Sequence, residues 1–191
     1  EKYYIIFLEK GFTDPGVFSN YGVICKQTHR IDKAINLYRN SIEIYPNSSE
    51  AYSNLGGILK DIHRLDEAEH YLKKALKINP NFANAHYNLG GVFLEKRILG
   101  LAEFHTRKAI NLNPKFSRAF SNLGNILRDL GNFKEAIDAF NKAILIEPSL
   151  SSAIEGFLCC KAIICDWSNP EKQTHWIKSI GINGKAVDPW F

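Results

Sequence analysis

Apolar and small side chains recur with helical spacing in pairs of short segments along most of the chain. Counted from the first residue of a 34-residue unit, they stand mainly at positions 4, 7, 8 and 11 and again at positions 20, 24 and 27. Both sets follow the i, i+3 or i+4, i+7 spacing that places side chains on one face of a helix. Each unit therefore predicts two amphipathic helices joined by a turn, and the chain predicts an all-α fold.

Prolines mark the period of this pattern. Because proline cannot continue a helix, each one is expected to follow the second helix of a unit. Four of them stand 34 residues apart: Pro46, Pro80, Pro114 and Pro148. The spacing divides most of the chain into four units: 15–48, 49–82, 83–116 and 117–150.

Small residues occupy fixed positions in all four units. Position 8 is always glycine: Gly22, Gly56, Gly90 and Gly124. Glycine inside a helix costs about 1 kcal/mol relative to alanine, so its repetition predicts a close approach of two helices. Alanine or serine at positions 20 and 27 of the second helix is expected to face that gap.

Turns and helix starts have their own signals. Asp32 and Asp66 are predicted N-caps of second helices, and Glu69 completes a capping-box pair with Asp66. Gly131 and Asn132 predict the turn inside the fourth unit.

The 34-residue period, the glycine at position 8 and the small residues at positions 20 and 27 resemble the tetratricopeptide repeat (TPR) family over residues 15–150. The resemblance implies a right-handed superhelix, an α-solenoid, whose first helices line a concave wall. Residues 1–14 match the second helix of a truncated preceding repeat. Residues 151–168 predict a capping helix, and residues 169–191 the start of a following, truncated domain. The sequence contains no methionine, even at position 1, so we expect it to be a fragment.

The third unit departs most from the pattern. Thr106 stands at position 24, where the other units carry Tyr38, Leu72 and Phe140, and Gly100 replaces a capping aspartate. We expect this unit to be locally softer.

Asparagine repeats at position 6, on the inner face of each first helix. These residues, called the asparagine column below, are Asn20, Asn54, Asn88 and Asn122. Asparagine is a poor helix former, but its carboxamide both donates and accepts hydrogen bonds. Helices pack about 8–10 Å apart and an extended peptide advances about 3.3–3.6 Å per residue, so one asparagine could meet a bound backbone about every third residue. The pattern predicts a site for extended peptides. The alternative is that these side chains bond to neighbouring helices or water.

Acidic residues add to this predicted peptide-binding site at position 13. They are Asp61, Glu95 and Asp129, and they favour basic or polar guests, although they are also compatible with a solvated rim. Lys60 and Arg128 stand beside two of them and partly neutralise the field.

Charge and composition exclude several classes of function. The net charge of +4 is too small, and too evenly spread, to indicate nucleic-acid binding. No apolar run approaches the ~18 residues of a membrane span. Four cysteines form no disulfide framework, which favours a reducing, cytoplasmic location. Catalytic and metal-ligand patterns are missing, so we expect no catalytic residue, metal or cofactor in this chain. The expected partner is a protein or peptide, with neither nucleic acid nor membrane, and the oligomeric state is left open.

The C-terminal segment carries a second resemblance. Cys165-Asp166-Trp167, a short amphipathic helix around 172–180, glycines 181 and 184, and Val187-Asp188-Pro189-Trp190 follow one another. This order resembles the segment that joins TPR repeats to the catalytic domain in O-linked N-acetylglucosamine transferases of the SPINDLY type (glycosyltransferase family 41).

That second resemblance implies that the chain is the acceptor-protein-binding arm of such an enzyme. The asparagine column would then hold the substrate backbone, and a missing catalytic domain would use a UDP-sugar donor. The alternative is a stand-alone TPR scaffold for protein–protein interaction.

Overall fold

The computed structural model describes Lys2, Ile6, Lys10, Gly11 and residues 14–164. The described residues form helices and no strand, which confirms the predicted all-α fold. We number the helices α1 (Pro15–Gln27), α2 (Ile31–Ile44), α3 (Ser49–Asp61), α4 (Leu65–Ile78), α5 (Ala83–Glu95), α6 (Leu99–Leu112), α7 (Ser117–Asp129), α8 (Phe133–Ile146) and α9 (Ser151–Ile163). The expected helix over 1–10, apart from three single residues, and the whole segment 165–191 lie outside the described residues.

The chain forms two compact units, one ending at Pro114 and the other beginning at Lys115. In the first, α1 packs on α2, α3 on α4, and α5 on α6, while the first helices α1, α3 and α5 also contact one another in series. In the second, α7 pairs with α8, and α9 packs on both. The first unit therefore holds three helix pairs in sequence order, and the second holds one pair covered by a further helix.

Helix ends follow the proline pattern, whereas two predicted helix starts are wrong. Each second helix ends two residues before its proline. The expected caps Asp32 and Asp66 lie instead in the first turns of α2 and α4, because these helices begin at Ile31 and Leu65 and have no side-chain cap. The capping box of Asp66 with Glu69 is therefore not formed.

The glycines at position 8 leave room for the side chain at position 24 of the same unit. A Cβ atom added to Gly56 would lie 2.6 Å from Cγ of Leu72, and one added to Gly124 would lie 2.6 Å from Cε1 of Phe140. The small residues at positions 20 and 27 are fully buried in all four units. The two helices of a unit therefore approach each other closely, as predicted, and the position-24 side chain lies against the glycine.

A left-handed residue closes the first helix of every unit. Position 15 has a positive φ each time: His29 at 58°, His63 at 58°, Arg97 at 60° and Gly131 at 80°. The predicted turn at Gly131 is confirmed, and three side-chain-bearing residues adopt the same strained conformation.

Candidate functional site

The asparagine column lies on the first helices. Asn20 is exposed on α1, while Asn54 on α3 and Asn88 on α5 are half-buried. Because these three helices contact one another in series, the three carboxamides occupy the same position of neighbouring helices. Asn122 has the equivalent place on α7 and is also half-buried.

These carboxamides have unused hydrogen-bonding capacity. Within the part of the chain that the structure describes, none of the four side chains bonds to another residue. The alternative in which they tie neighbouring helices together by hydrogen bonds is therefore not seen in this part. A bound peptide remains a prediction.

One member of the column is positioned by a glycine of the preceding repeat. A Cβ atom added to Gly57 would lie 3.1 Å from Nδ2 of Asn88 and 3.6 Å from its Cγ. The carboxamide therefore packs on the bare backbone of α3. The absence of a side chain at Gly57 therefore sets where the carboxamide of Asn88 can lie.

The acidic residues at position 13 are already paired. Asp61 Oδ2 lies 2.6 Å from the Lys26 ammonium of the preceding repeat, and its Oδ1 lies 3.3 Å from Lys60. Burial raises the pKa of Asp61, but the two lysines outweigh it and hold this pKa below its usual range. The predicted neutralisation by Lys60 is present, and Lys26 adds a contact between repeats that was not expected.

The other two position-13 acids also have basic neighbours. Glu95 Oε2 lies 3.0 Å from Nδ1 of His63, which belongs to the turn of the preceding repeat. On α7, Asp129 Oδ1 lies 3.4 Å from Arg128. A cationic guest would therefore have to compete with Lys26 and Lys60 for Asp61 and with Arg128 for Asp129, while His63 already contacts Glu95.

A second ionic cluster joins the second and third repeats. Lys96 donates to Asp66 and Glu69 at 2.6 Å each, and Glu69 also accepts from Lys73 at 2.6 Å. The hydrogen bonds from Lys73 and Lys96 lower the pKa of Glu69, and the bonds to Asp66 and Glu69 raise the pKa of Lys96. The aspartate and glutamate that sequence reasoning assigned to capping thus hold a lysine of the next repeat.

A histidine pair lies inside the third repeat, and sequence reasoning missed it. His86 Nε2 lies 3.0 Å from the Pro80 carbonyl, which can only accept, so this nitrogen carries the proton. His86 Nδ1 then accepts from His105 Nδ1, 2.9 Å away. His105 also stacks on Phe93 with ring centroids 5.6 Å apart. Thr106 follows His105 in the chain, and its buried hydroxyl has no partner among the described residues.

Burial keeps both imidazoles neutral. It is the main cause that lowers the pKa of His86, with a smaller contribution from Lys108. Burial, His86 and Lys73 together lower the pKa of His105 to about 4. The only signal in the sequence was a histidine at position 4, where the other repeats carry Phe18, Tyr52 and Phe120.

Two kinds of feature are absent from the described residues. They contain no group of three or more His, Cys, Asp or Glu side chains arranged to hold a metal ion. None of the described helices has the length and apolar character needed to cross a bilayer.

Family models confirm that the helix pairs are tetratricopeptide repeats. The tetratricopeptide repeat model matches residues 16–81, and a second model of the same description matches residues 117–150, together just over half of the chain. The chain belongs to the tetratricopeptide repeat family. Neither match extends to residues 165–191, and no link to a glycosyltransferase appears in the comparisons.

Solved structures with the same fold include several TPR proteins. MamA is 24% identical with a TM-score of 0.65, and the match covers 90% of each chain. YrrB, described as a TPR protein with an unusual peptide-binding site, is 20% identical with a TM-score of 0.65, covering 96% of this chain and 93% of that one. PilF of Pseudomonas aeruginosa is 20% identical with a TM-score of 0.77, covering 89% and 76%. At these identities the likeness establishes the fold alone. A search of curated protein sequences gives no match to this TPR chain.

Proposed function

We propose that this TPR protein is a protein-binding scaffold that holds an extended peptide by its backbone. The observation that carries the proposal is the set of three carboxamides at one position of three neighbouring helices, without hydrogen-bond partners among the described residues: Asn20, Asn54 and Asn88. Asn122 offers the same group on α7. Each carboxamide can accept from a peptide N–H and donate to a peptide C=O, so this contact does not depend on the guest side chains.

The surrounding charges support recognition of the backbone over recognition of basic side chains. Asp61 and Glu95 are paired with Lys26 and His63 of the preceding repeats, so no unpaired row of acids is left beside the asparagines. The similarity in fold to YrrB, which is described as having an unusual peptide-binding site, agrees with a peptide-binding function.

The interpretation as a stand-alone scaffold has more support than the interpretation as a glycosyltransferase arm. The resemblance to SPINDLY-type transferases depends on residues 165–191, which lie outside the described residues. The match in fold covers 90% of the MamA chain and 93% of the YrrB chain, so little of either chain lies outside the part that resembles this TPR protein. The acceptor-arm hypothesis, with its UDP-sugar donor, therefore remains a sequence-based proposal.

The test compares two triple variants in the same protein. Peptides are selected from a random 12-residue library displayed on phage, and their affinities are measured by fluorescence anisotropy. Replacing Asn20, Asn54 and Asn88 with alanine should weaken binding by roughly 100-fold, because each lost pair of hydrogen bonds is worth about 1 kcal/mol. The control replaces three exposed asparagines of second helices: Asn36, Asn40 and Asn111. This control should bind like the wild type.

A modified peptide gives an independent readout. N-methylation of alternate peptide bonds removes backbone donors and should weaken binding, whereas exchanging side chains at the same residues should have little effect. Unchanged affinity of the column variant, with circular dichroism showing an intact fold, would refute the proposal.

A further inference from the structure

The histidine pair of the third repeat has room for one proton between its two rings. Nδ1 of His86 and Nδ1 of His105 lie 2.9 Å apart. Because Nε2 of His86 donates to the Pro80 carbonyl, 3.0 Å away, the proton between the rings belongs to His105. A further proton on Nδ1 of His86 would place two N–H groups face to face at this distance. The doubly protonated pair therefore cannot keep the contact that joins α5 to α6.

The surroundings of the pair also disfavour added positive charge. A proton on Nε2 of His105 would keep the ring contact, but burial is the main cause that lowers the pKa of both histidines. Lys108 on α6 also lowers the pKa of His86, and Lys73 on α4 lowers that of His105. Lys73 is itself bound to Glu69 at 2.6 Å, which offsets part of its charge. The pair therefore takes up protons more readily when its rings separate and meet water.

The ring of His105 is held from two sides, so it does not turn away from His86 without a loss of packing. It stacks on Phe93 of α5 with centroids 5.6 Å apart, and Phe104 of α6 meets it edge to face at 5.1 Å. Turning the ring into solvent breaks the stack on α5. Separation of the two imidazoles therefore loosens the packing of α5 against α6.

The helix α5 connects the histidine pair to the asparagine column. His86 and Asn88 are two residues apart on this helix. Its contacts with α6 include the histidines, and its contacts with α3 include the carboxamide of Asn88 against Gly57. Because a packed helix shifts as a unit, loosening its contact with α6 changes where it rests on α3. The Asn88 carboxamide then leaves the row that it forms with Asn20 and Asn54.

We propose that proton uptake by the His86–His105 pair releases the peptide held by the asparagine column. This inference rests on the proposed peptide-binding function and adds its regulation by acid. Above pH 6.5 both imidazoles are neutral, the rings stay in contact and the column holds its guest. As the pH falls from 6.5 towards 4.5, the separated rings bind more protons than the paired rings, and the affinity decreases. The carboxamides do not titrate, so the backbone contacts add no pH dependence of their own.

The experiment measures the peptide affinity of the whole chain at pH 7.5 and pH 5, by fluorescence anisotropy with a dye whose emission does not depend on pH. The guests are library-selected, amidated peptides without aspartate, glutamate or histidine, so that the peptide itself does not titrate. We expect roughly tenfold weaker binding at pH 5. The variant H86F/H105Y should bind like the wild type at pH 7.5 and keep that affinity at pH 5.

His63 provides a matched control, because it is an exposed histidine whose Nδ1 lies 3.0 Å from the position-13 acid Glu95. The variant H63Q should keep the pH dependence of the wild type. Hydrogen exchange follows the helices without any peptide. After correction for intrinsic rates, the amides of α5 and α6 should exchange faster at pH 5 than at pH 7.5 in the wild type, and equally fast in H86F/H105Y.

The outcomes separate acid release from the function on which it rests. Absence of peptide binding at pH 7.5 would refute the proposed function and acid release together. Binding that stays equally tight at pH 5, or weakens equally in H86F/H105Y, would overturn acid release alone. A pH dependence that is lost in H63Q, or unchanged hydrogen exchange in α5 and α6, would do the same. So would a decrease in affinity that coincides with loss of the helical circular dichroism signal, because the whole chain would then be unfolding.

Discussion

The carboxamide of Asn88 rests on the backbone of Gly57, one repeat earlier in the chain. A Cβ atom added to Gly57 would lie 3.1 Å from Nδ2 of Asn88, which is tighter than ordinary van der Waals contact. A single methyl group on α3 would therefore press on a predicted peptide-binding group on α5. This relationship makes Gly57 a means of moving the carboxamide without changing its chemistry.

The first prediction concerns G57A. Alanine raises helix propensity by up to about 1 kcal/mol, and the flexible carboxamide can move by a few tenths of an ångström, so we expect the free energy of unfolding to change by less than about 1 kcal/mol. Peptide affinity should nevertheless decrease several-fold, because the carboxamide leaves its position. Urea denaturation and fluorescence anisotropy measure the two effects. The control G100A meets nothing within 4 Å and should leave peptide affinity unchanged. A loss of affinity equal in both variants would contradict the positioning role.

The second prediction concerns the contact between Gly56 and Leu72. In G56A the new Cβ would lie 2.6 Å from Cγ of Leu72 and 3.2 Å from the Ala68 carbonyl oxygen. Overpacking of this kind destabilises by roughly 1–3 kcal/mol, which urea denaturation measures. The same substitution in the background L72A should cost much less, because the cavity accepts the added methyl group. Additive effects in the double variant would rule out this contact as the cause.

The repeat register could be predicted because it depends on residues that act through the backbone. Pro46 ends a helix and Gly56 permits a close approach whatever surrounds them, so their spacing alone locates the helix pairs. Side-chain partners could not be predicted in the same way. Lys26 and Asp61 are 35 residues apart, and nothing in their local sequence indicates that they pair.

The wrong caps and the missed histidines have similar physical causes. Aspartate is a common N-cap residue, but α4 begins one residue before Asp66. The Asp66 carboxylate accepts a hydrogen bond from Lys96 instead. His86 and His105 are 19 residues apart and meet where α5 packs on α6, so nothing in their local sequence indicates the contact. Their pairing therefore required the three-dimensional structure.

The third prediction concerns the positive φ at position 15. His29 holds φ at 58°, a conformation that costs a residue with a side chain roughly 1–2 kcal/mol. H29G should raise the free energy of unfolding by about 0.5–1 kcal/mol, the gain being reduced by the flexibility of glycine in the unfolded chain. G131A should lower it by about 1 kcal/mol for the reverse reason. Thermal denaturation measures both. The control H70G, inside α4, should be destabilising, and stabilisation there would show that position 15 is not special.

The fourth prediction concerns acid sensitivity of the third repeat. In the folded state the pKa values of His86 and His105 are lowered, that of His105 to about 4, whereas an unfolded histidine titrates near 6.5. Below pH 6.5 the unfolded chain therefore binds more protons than the folded chain. The free energy of unfolding should be greatest above pH 6.5 and should decrease as the pH falls towards 4. After allowance for partial exposure, the loss should be roughly 1–2 kcal/mol.

Two variants distinguish this pair from the other titrating groups. H86F/H105Y places at positions 4 and 23 the residues that other repeats carry there, and it should remove most of the decrease between pH 6.5 and 4.5. H70Q removes an exposed histidine and should leave the decrease unchanged. Asp61 and Glu69 also have lowered pKa values, but carboxylates lose their contribution only as the pH falls below about 4.5, so they act in a lower window. Urea denaturation at half-unit pH intervals measures the profile. If H86F/H105Y kept the wild-type slope above pH 4.5, the buried pair would not be the source of the acid sensitivity.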